Sequence, residues 1–104
     1  MKLYIAGPMT GLPEYNYPAF HAAAAELRAA GHEVVSPAEG WEHITDPAAV
    51  SWQDYMRSGL SKLLHCEAVA LLPGWAGSRG ASLEVRVAEA LGMPTRLVAE
   101  WVAR

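Results

Sequence analysis

Ala68-Val69-Ala70-Leu71-Leu72-Pro73-Gly74-Trp75-Ala76-Gly77-Ser78-Arg79-Gly80-Ala81-Ser82-Leu83-Glu84 decides the fold. The run Glu67 to Leu72 is almost continuously apolar, as a strand covered on both faces of a parallel sheet requires. Pro73 to Gly77 turns the chain, and Ala81 to Leu91 reads as a helix ending before Gly92 and Pro94. A strand that enters a helix through a Gly- and Ser-containing loop makes an anion site. The first backbone N–H groups of the helix lack partners, and its dipole favours negative charge. Glu84 lies on the first turns of that helix, where its carboxylate can face the same site. A phosphate cradle beside a carboxylate points to chemistry on a sugar phosphate. The same residues have an ordinary reading, in which Ser78 or Ser82 caps the helix and Glu84 complements its dipole.

Outward from this stretch the chain alternates strands and helices. Lys2 to Ala6 forms a first strand, stopped by Gly7-Pro8, and a Gly- and Pro-containing loop runs to Asn16. Pro18 sits near the first turn of a helix, where its missing N–H does no harm. That helix continues through the alanine-rich segment to Gly31, with Phe20, Ala23, Ala24 and Leu27 as its buried stripe. His32 to Ser36 is a second strand and Pro37 to about Val50 a longer loop. Ser51-Trp52-Gln53-Asp54 has the form of a capping box with Asp in place of Glu. The helix from Trp52 to His65 buries Tyr55 or Met56, Leu60, Leu63 and Leu64. Thr95 to Val98 is a fourth strand, followed by a short tail.

The order β-α-β-α-β-α-β implies an α/β domain: a small three-layer sandwich around a four-stranded parallel sheet of flavodoxin or Rossmann type. Right-handed crossovers leave the strand order 2-1-3-4, with the switch point between strands 1 and 3. Ligands bind such sheets at the carboxyl ends of the strands beside that point. The loops Gly7 to Asn16 and Pro73 to Gly80 meet there. The 104 residues suit one domain, 1–104.

Composition excludes several classes. The formal net charge is −3 and the eight Lys and Arg are scattered, so no basic stripe exists for polymeric nucleic acid. A free nucleotide needs only one or two cationic or N–H contacts. Met1 to Pro8 lacks the apolar region of a signal peptide, and no apolar run approaches membrane-spanning length. Cytoplasmic residence is expected. The single cysteine, Cys66, cannot form an intramolecular disulfide and reads as buried rather than reactive. The four histidines are far apart, so no metal site is expected, and no cofactor motif is present. Gly7-Pro8-Met9-Thr10-Gly11 is neither a dinucleotide fingerprint nor a phosphate-binding Walker loop. Gly-x-Ser-x-Gly is absent too.

Tyr4, near the carboxyl end of the first strand, Asp54 and Glu84 are the candidate catalytic residues. Carboxylates flanking a sugar C1′ are what glycosidic cleavage needs. Each also has a plainer role: Tyr4 as a core aromatic, Asp54 as the reciprocal half of the capping box.

These residues resemble the nucleoside 2-deoxyribosyltransferase-like superfamily. The match is closest to a small family of uncharacterised proteins common in phages and prophages. It rests on Tyr4-Ile5-Ala6-Gly7-Pro8-Met9-Thr10-Gly11, Tyr17-Pro18-Ala19-Phe20, Ser51-Trp52-Gln53-Asp54-Tyr55-Met56, Leu72-Pro73-Gly74-Trp75 and Ser78-Arg79-Gly80-Ala81. The resemblance covers nearly the whole chain. It implies a glutamate nucleophile at C1′, Glu84, aligned by the strand tyrosine, Tyr4, with Asp54 contacting the leaving base or the nucleophile. The position six residues before the glutamate is aspartate in nucleoside transferases and serine in the 2′-deoxynucleoside 5′-monophosphate N-hydrolases; here it is Ser78. A carboxylate there repels phosphate and a serine does not.

The expected activity is therefore hydrolysis of the N-glycosidic bond of a 2′-deoxynucleoside 5′-monophosphate, releasing base and deoxyribose 5-phosphate. Gly7, Pro8, Thr10, Ser78, Arg79, Gly80 and Ser82 are its expected substrate contacts. Two departures stand out. The hydrolases carry arginine where this chain has Thr10, and they extend past the fourth strand, whereas this sequence stops at Arg104. Arg79 is the replacement cation on this reading, and the phosphate site is either incomplete or differently completed, by residues 37–50 or a partner subunit. The alternatives are a non-catalytic nucleotide binder and a deoxyribosyltransferase. A homodimer or larger homo-oligomer is expected from the four-stranded sheet and from Trp41, Trp52, Trp75 and Trp101, some of which suit a base pocket instead.

Overall fold

The computed structural model describes residues 1–40 and 50–103. Expectations for Trp41 and for most of the 37–50 loop lie outside the described residues. Strands β1 (Lys2–Ala6), β2 (Glu33–Val35), β3 (Ala68–Leu71) and β4 (Thr95–Leu97) form one sheet in the order β2-β1-β3-β4. All three pairings are parallel, with Tyr4 opposite Val35 on one side and Val69 on the other. Helices α1 (Tyr17–Ala29), α2 (Trp52–Leu63) and α3 (Arg79–Ala90) make the crossovers. The expected α/β architecture and strand order are those observed.

Strand periodicity divides the core into two layers. Leu3 and Ile5 of β1 with Ala68 and Ala70 of β3 face α1, which presents Phe20, Ala23, Ala24 and Leu27. Tyr4, Ala6, Val69 and Leu71 face the other way, against Leu63 of α2 and Ala81, Val85 and Ala88 of α3. Tyr4 therefore shares its layer with the helix that carries Glu84.

The strands after β1 are each one to two residues shorter than the runs read from the sequence. The short tail expected after β4 is a fourth helix, α4 (Val98–Val102). Glu100 Oε1 accepts the Leu97 N–H at 2.9 Å and starts it. Trp101 covers the α1 face of the sheet and donates its indole N–H to the Val69 carbonyl at 2.9 Å. This tryptophan belongs to the core, not to an interface or a base pocket. Leu64, expected inside, is 60% exposed because α2 ends at Leu63 and the chain turns outward there.

Local devices hold the loops above the carboxyl edge of the sheet. Arg28 of α1 grips the Glu39 carboxylate with two hydrogen bonds of 3.0 and 2.9 Å, and Lys62 of α2 donates to the Glu39 carbonyl at 2.9 Å. Before α1, Glu14, Tyr15 and Asn16 form a turn with φ of 53°, 53° and 60°. That left-handed conformation costs an L-residue about 1–2 kcal/mol. The Asn16 side-chain amide, donating to the Pro8 carbonyl at 2.9 Å, helps hold it.

Candidate active site

Where β1 and β3 end, their chains leave side by side. A Cβ on Gly7 would stand 2.7 Å from Leu72 Cβ, so only glycine permits this approach. The chains then diverge around a cleft of about 910 Å3. This is the switch-point crevice expected of the strand order.

Glu84 forms part of its wall. The residue is 6% exposed and Tyr4 is fully buried. The Tyr4 hydroxyl donates a short hydrogen bond to Oε2 of Glu84. Burial pushes the Glu84 carboxyl up to about 7, and the Tyr4 hydrogen bond opposes that rise without cancelling it. Burial, then the adjacent carboxylate, raises the Tyr4 hydroxyl well above its ordinary value, so Tyr4 keeps its proton throughout the physiological range and donates to Glu84 whenever the carboxyl is ionised. A carboxyl poised near neutrality in a cleft is the state expected of a reacting group.

The loop before α3 supplies the anion-binding side. Ser78 is the N-cap of α3, its Oγ accepting the Ala81 N–H at 3.2 Å. The capping role and the cleft role coexist, because a hydroxyl that accepts from the helix keeps its own proton to donate. Ser78, Arg79 and Gly80 all line the cleft, as do Gly7, Pro8 and Thr10 from the loop after β1. The Arg79 guanidinium lies 3.9 Å from the centroid of the Trp52 ring and has no carboxylate partner among the described residues.

Two residues singled out in the sequence are not on this wall. Asp54 is exposed; it occupies the first turn of α2, where its backbone N–H donates at 3.0 Å to Oγ of the N-cap residue, Ser51. Ser82 is half-buried and donates its hydroxyl to the Ala76 carbonyl at 3.2 Å, fastening the 3-10 turn Trp75–Gly77 to α3. Cys66, expected to be buried, is half-buried and off the cleft wall, its thiol raised by burial and donating to the Lys62 carbonyl at 3.4 Å. Among the described residues no three His, Cys, Asp or Glu side chains gather as a metal site requires, and no helix is long and apolar enough to cross a membrane.

The sequence reading missed how much α2 contributes. Trp52, Tyr55 and Met56 line the cleft beside Tyr15, giving it flat, apolar walls. Tyr55 is steadied by Tyr17, hydroxyl to hydroxyl at 3.3 Å. One turn further on, Gly59 is buried against the Tyr4–Glu84 pair. The spacing 52, 55, 56, 59 was visible as one helical face. A glycine inside a helix, costing about 1 kcal/mol against alanine, was the available sign that something packs closely there.

Comparison with known proteins agrees with the fold. A solved 2-deoxyribosyltransferase from the psychrotolerant bacterium Bacillus psychrosaccharolyticus, described as a biocatalyst for the synthesis of antiviral and antitumoral nucleosides, has a similar fold. The TM-score is 0.69 at 22% sequence identity, covering 93% of this chain and 71% of that one. No curated protein matches. The model of one sequence family matches residues 1–96, which include both strands that flank the cleft and the whole of α3. The chain thus belongs to the family described as Domain of unknown function (DUF4406).

Proposed function

We propose that this protein cleaves the N-glycosidic bond of a 2′-deoxynucleoside 5′-monophosphate, with water as the final acceptor. The observation that carries the proposal is the buried Glu84 carboxyl, hydrogen-bonded by Tyr4, on the wall of a cleft that also contains the N-terminus of α3. In its ionised form Glu84 attacks C1′ opposite the base. The C1′–N bond breaks, its electron pair leaves with the base, and the base takes a proton from water. A water then attacks C1′ of the glycosyl ester, giving its proton to the hydroxide left by the first; the C1′–O bond to Glu84 breaks, regenerating the carboxylate and releasing deoxyribose 5-phosphate. Tyr4 holds Oε2, leaving the other oxygen for carbon. Trp52 and Tyr55 offer stacking surfaces to the base. Asp54, exposed and off the wall, is assigned no contact with the reacting atoms.

The 5′-phosphate is assigned to Ser78, to the first N–H groups of α3 and to Arg79, whose charge no carboxylate among the described residues neutralises. Arg79→Ala is expected to raise KM for a deoxynucleoside monophosphate about tenfold and to change KM for the unphosphorylated nucleoside much less. Equal effects on both substrates would remove Arg79 from the phosphate site.

Base release from a panel of deoxynucleoside monophosphates, 5-substituted pyrimidines included, tests the reaction. Release without added acceptor base supports hydrolysis. Release only when a second base is supplied would replace it with deoxyribosyl transfer, an activity the structurally similar enzyme carries in its name. The proposal includes self-association, because Leu64, Leu91 and Leu97 are 60%, 57% and 45% exposed and β4 is a sheet edge. Light scattering is expected to give at least twice the 11.2 kDa chain mass, and a monomer at working concentration would refute this part.

A further inference from the structure

The middle of α2 rests on the reacting pair through a residue with no side chain. A Cβ built on Gly59 would lie 2.7 Å from Glu84 Oε2 and 2.8 Å from the Tyr4 hydroxyl. Both separations are below any ordinary carbon–oxygen contact. Neither neighbour is a loose chain end free to swing aside. Tyr4 is fully buried, Glu84 is 6% exposed, and the two are tied to each other. The same helix makes a second close approach one turn earlier, where a Cβ on Gly80 would meet Met56 Sδ at 3.0 Å. Gly59 also has an ordinary helical φ, so turn geometry does not explain it.

We infer that Gly59 is a positioning residue for the reaction proposed above: its bare Cα lets α2 close over Tyr4 and Glu84, keeping the hydroxyl on Oε2 and water away from the carboxylate. The helix backbone then serves as the lid of the nucleophile. Its distance from the sheet sets both the hydrogen bond and the desolvation. Tyr4 on β1 is the titratable group in contact with Glu84, and Val69 and Leu71 of β3 in the same layer carry no charge. Asp54 and Arg57 of α2, and Arg79, Arg86 and Glu89 of α3, are all exposed, while the half-buried Tyr55 and Lys62 of α2 bond to the Tyr17 hydroxyl and the Glu39 carbonyl. Removing water, not adding charge, is thus the means by which α2 acts on Glu84.

Gly59→Ala is the test, read in two ways that do not depend on turnover. Alanine in place of a mid-helix glycine normally stabilises, so an unobstructed site would raise Tm. The expected result is a fall of about 5 °C or more. The Glu84 titration, followed by carboxyl-carbon NMR, is expected to move down from about 7 toward the ordinary carboxyl range, because burial is the larger of the two influences and water enters as α2 lifts. Where turnover is measurable, kcat falls at least tenfold while KM changes less.

The same substitution in a Glu84→Ala background tests specificity. With the carboxylate gone the Tm cost must shrink, and a Gly59→Ala protein that folds only in that background supports the inference equally. An unchanged or higher Tm with an unmoved Glu84 titration would overturn it. So would an equal cost, or equal failure to fold, in both backgrounds. If the wild type releases no base from any nucleotide, the proposed reaction fails, and these two readouts still judge Gly59.

Discussion

Glu84→Gln is expected to abolish base release, lowering kcat by at least about a thousandfold, while making the protein more stable above neutral pH. The first effect follows from chemistry. The amide keeps the shape of the side chain and can still accept the Tyr4 hydrogen bond, but it is a very weak nucleophile and cannot form the glycosyl ester. The second follows from linkage. The folded-state pKa of Glu84, about 7, stands above its ordinary value of 4.5. Between those values the native state holds more protons than the unfolded state. Stability is therefore fully present below about pH 4.5 and declines as pH rises through about 7.

Glutamine carries no charge and escapes that decline. At pH 8 the gain approaches on the order of 3 kcal/mol, less whatever its amide N–H2 loses by burial. At pH 5 the two proteins differ little. Denaturant unfolding at both pH values checks the sign. Loss of activity accompanied by loss of stability at pH 8 would mean that the substitution had disrupted the fold, not removed a buried charge.

The second large effect is on pH dependence. In the proposed reaction the attacking form of Glu84 is the carboxylate, so kcat/KM is expected to rise tenfold per pH unit up to a midpoint near 7 and then level. Activity at pH 5 is then about a hundredfold below the plateau. The pKa of the free Tyr4 hydroxyl is too high to add a falling limb at ordinary alkaline pH. Tyr4→Phe removes the hydrogen bond that lowers the Glu84 pKa while leaving the burial that raises it. Its rising limb is expected to move to higher pH, and its plateau to fall by about tenfold or more as Oε2 loses its tether. A limb that stays in place would dissociate Tyr4 from the nucleophile.

The architecture was legible in the sequence because each element carried its own signal. Val69 and its neighbours form an apolar run too short for a helix. Gly31 and Gly92 end helices, and Ser51 and Ser78 begin them as caps. Once the order of elements is fixed, parallel pairing and right-handed crossovers leave few topologies, and Tyr4 and Glu84 fall beside the same crevice. Short pieces were less legible. Five residues of α4 give no periodicity, and Trp101 covers the sheet through a contact 32 residues away in sequence, from its indole N–H to Val69.

Asp54 is exposed and off the cleft wall, a placement its spacing alone did not reveal. Spacing from Ser51 places it correctly on the first turn of α2, but spacing along a helix start says nothing about which way the side chain points. Gly59 shows the converse. A residue with no side chain has no chemistry to recognise, and its part emerges only when the distances to Oε2 and to the Tyr4 hydroxyl are known.

The most direct test follows C1′ itself. Proton NMR of a deoxynucleoside 5′-monophosphate mixed with the wild-type protein reports the H1′ resonance, and with it both binding and bond cleavage. The account predicts that the nucleotide H1′ signal decays, that free base and the anomeric signals of deoxyribose 5-phosphate grow in its place, and that Glu84→Gln leaves the spectrum unchanged over the same time. A nucleotide whose H1′ signal broadens on binding but persists, with no free base from any member of the panel, would contradict it and make the cleft a binding site.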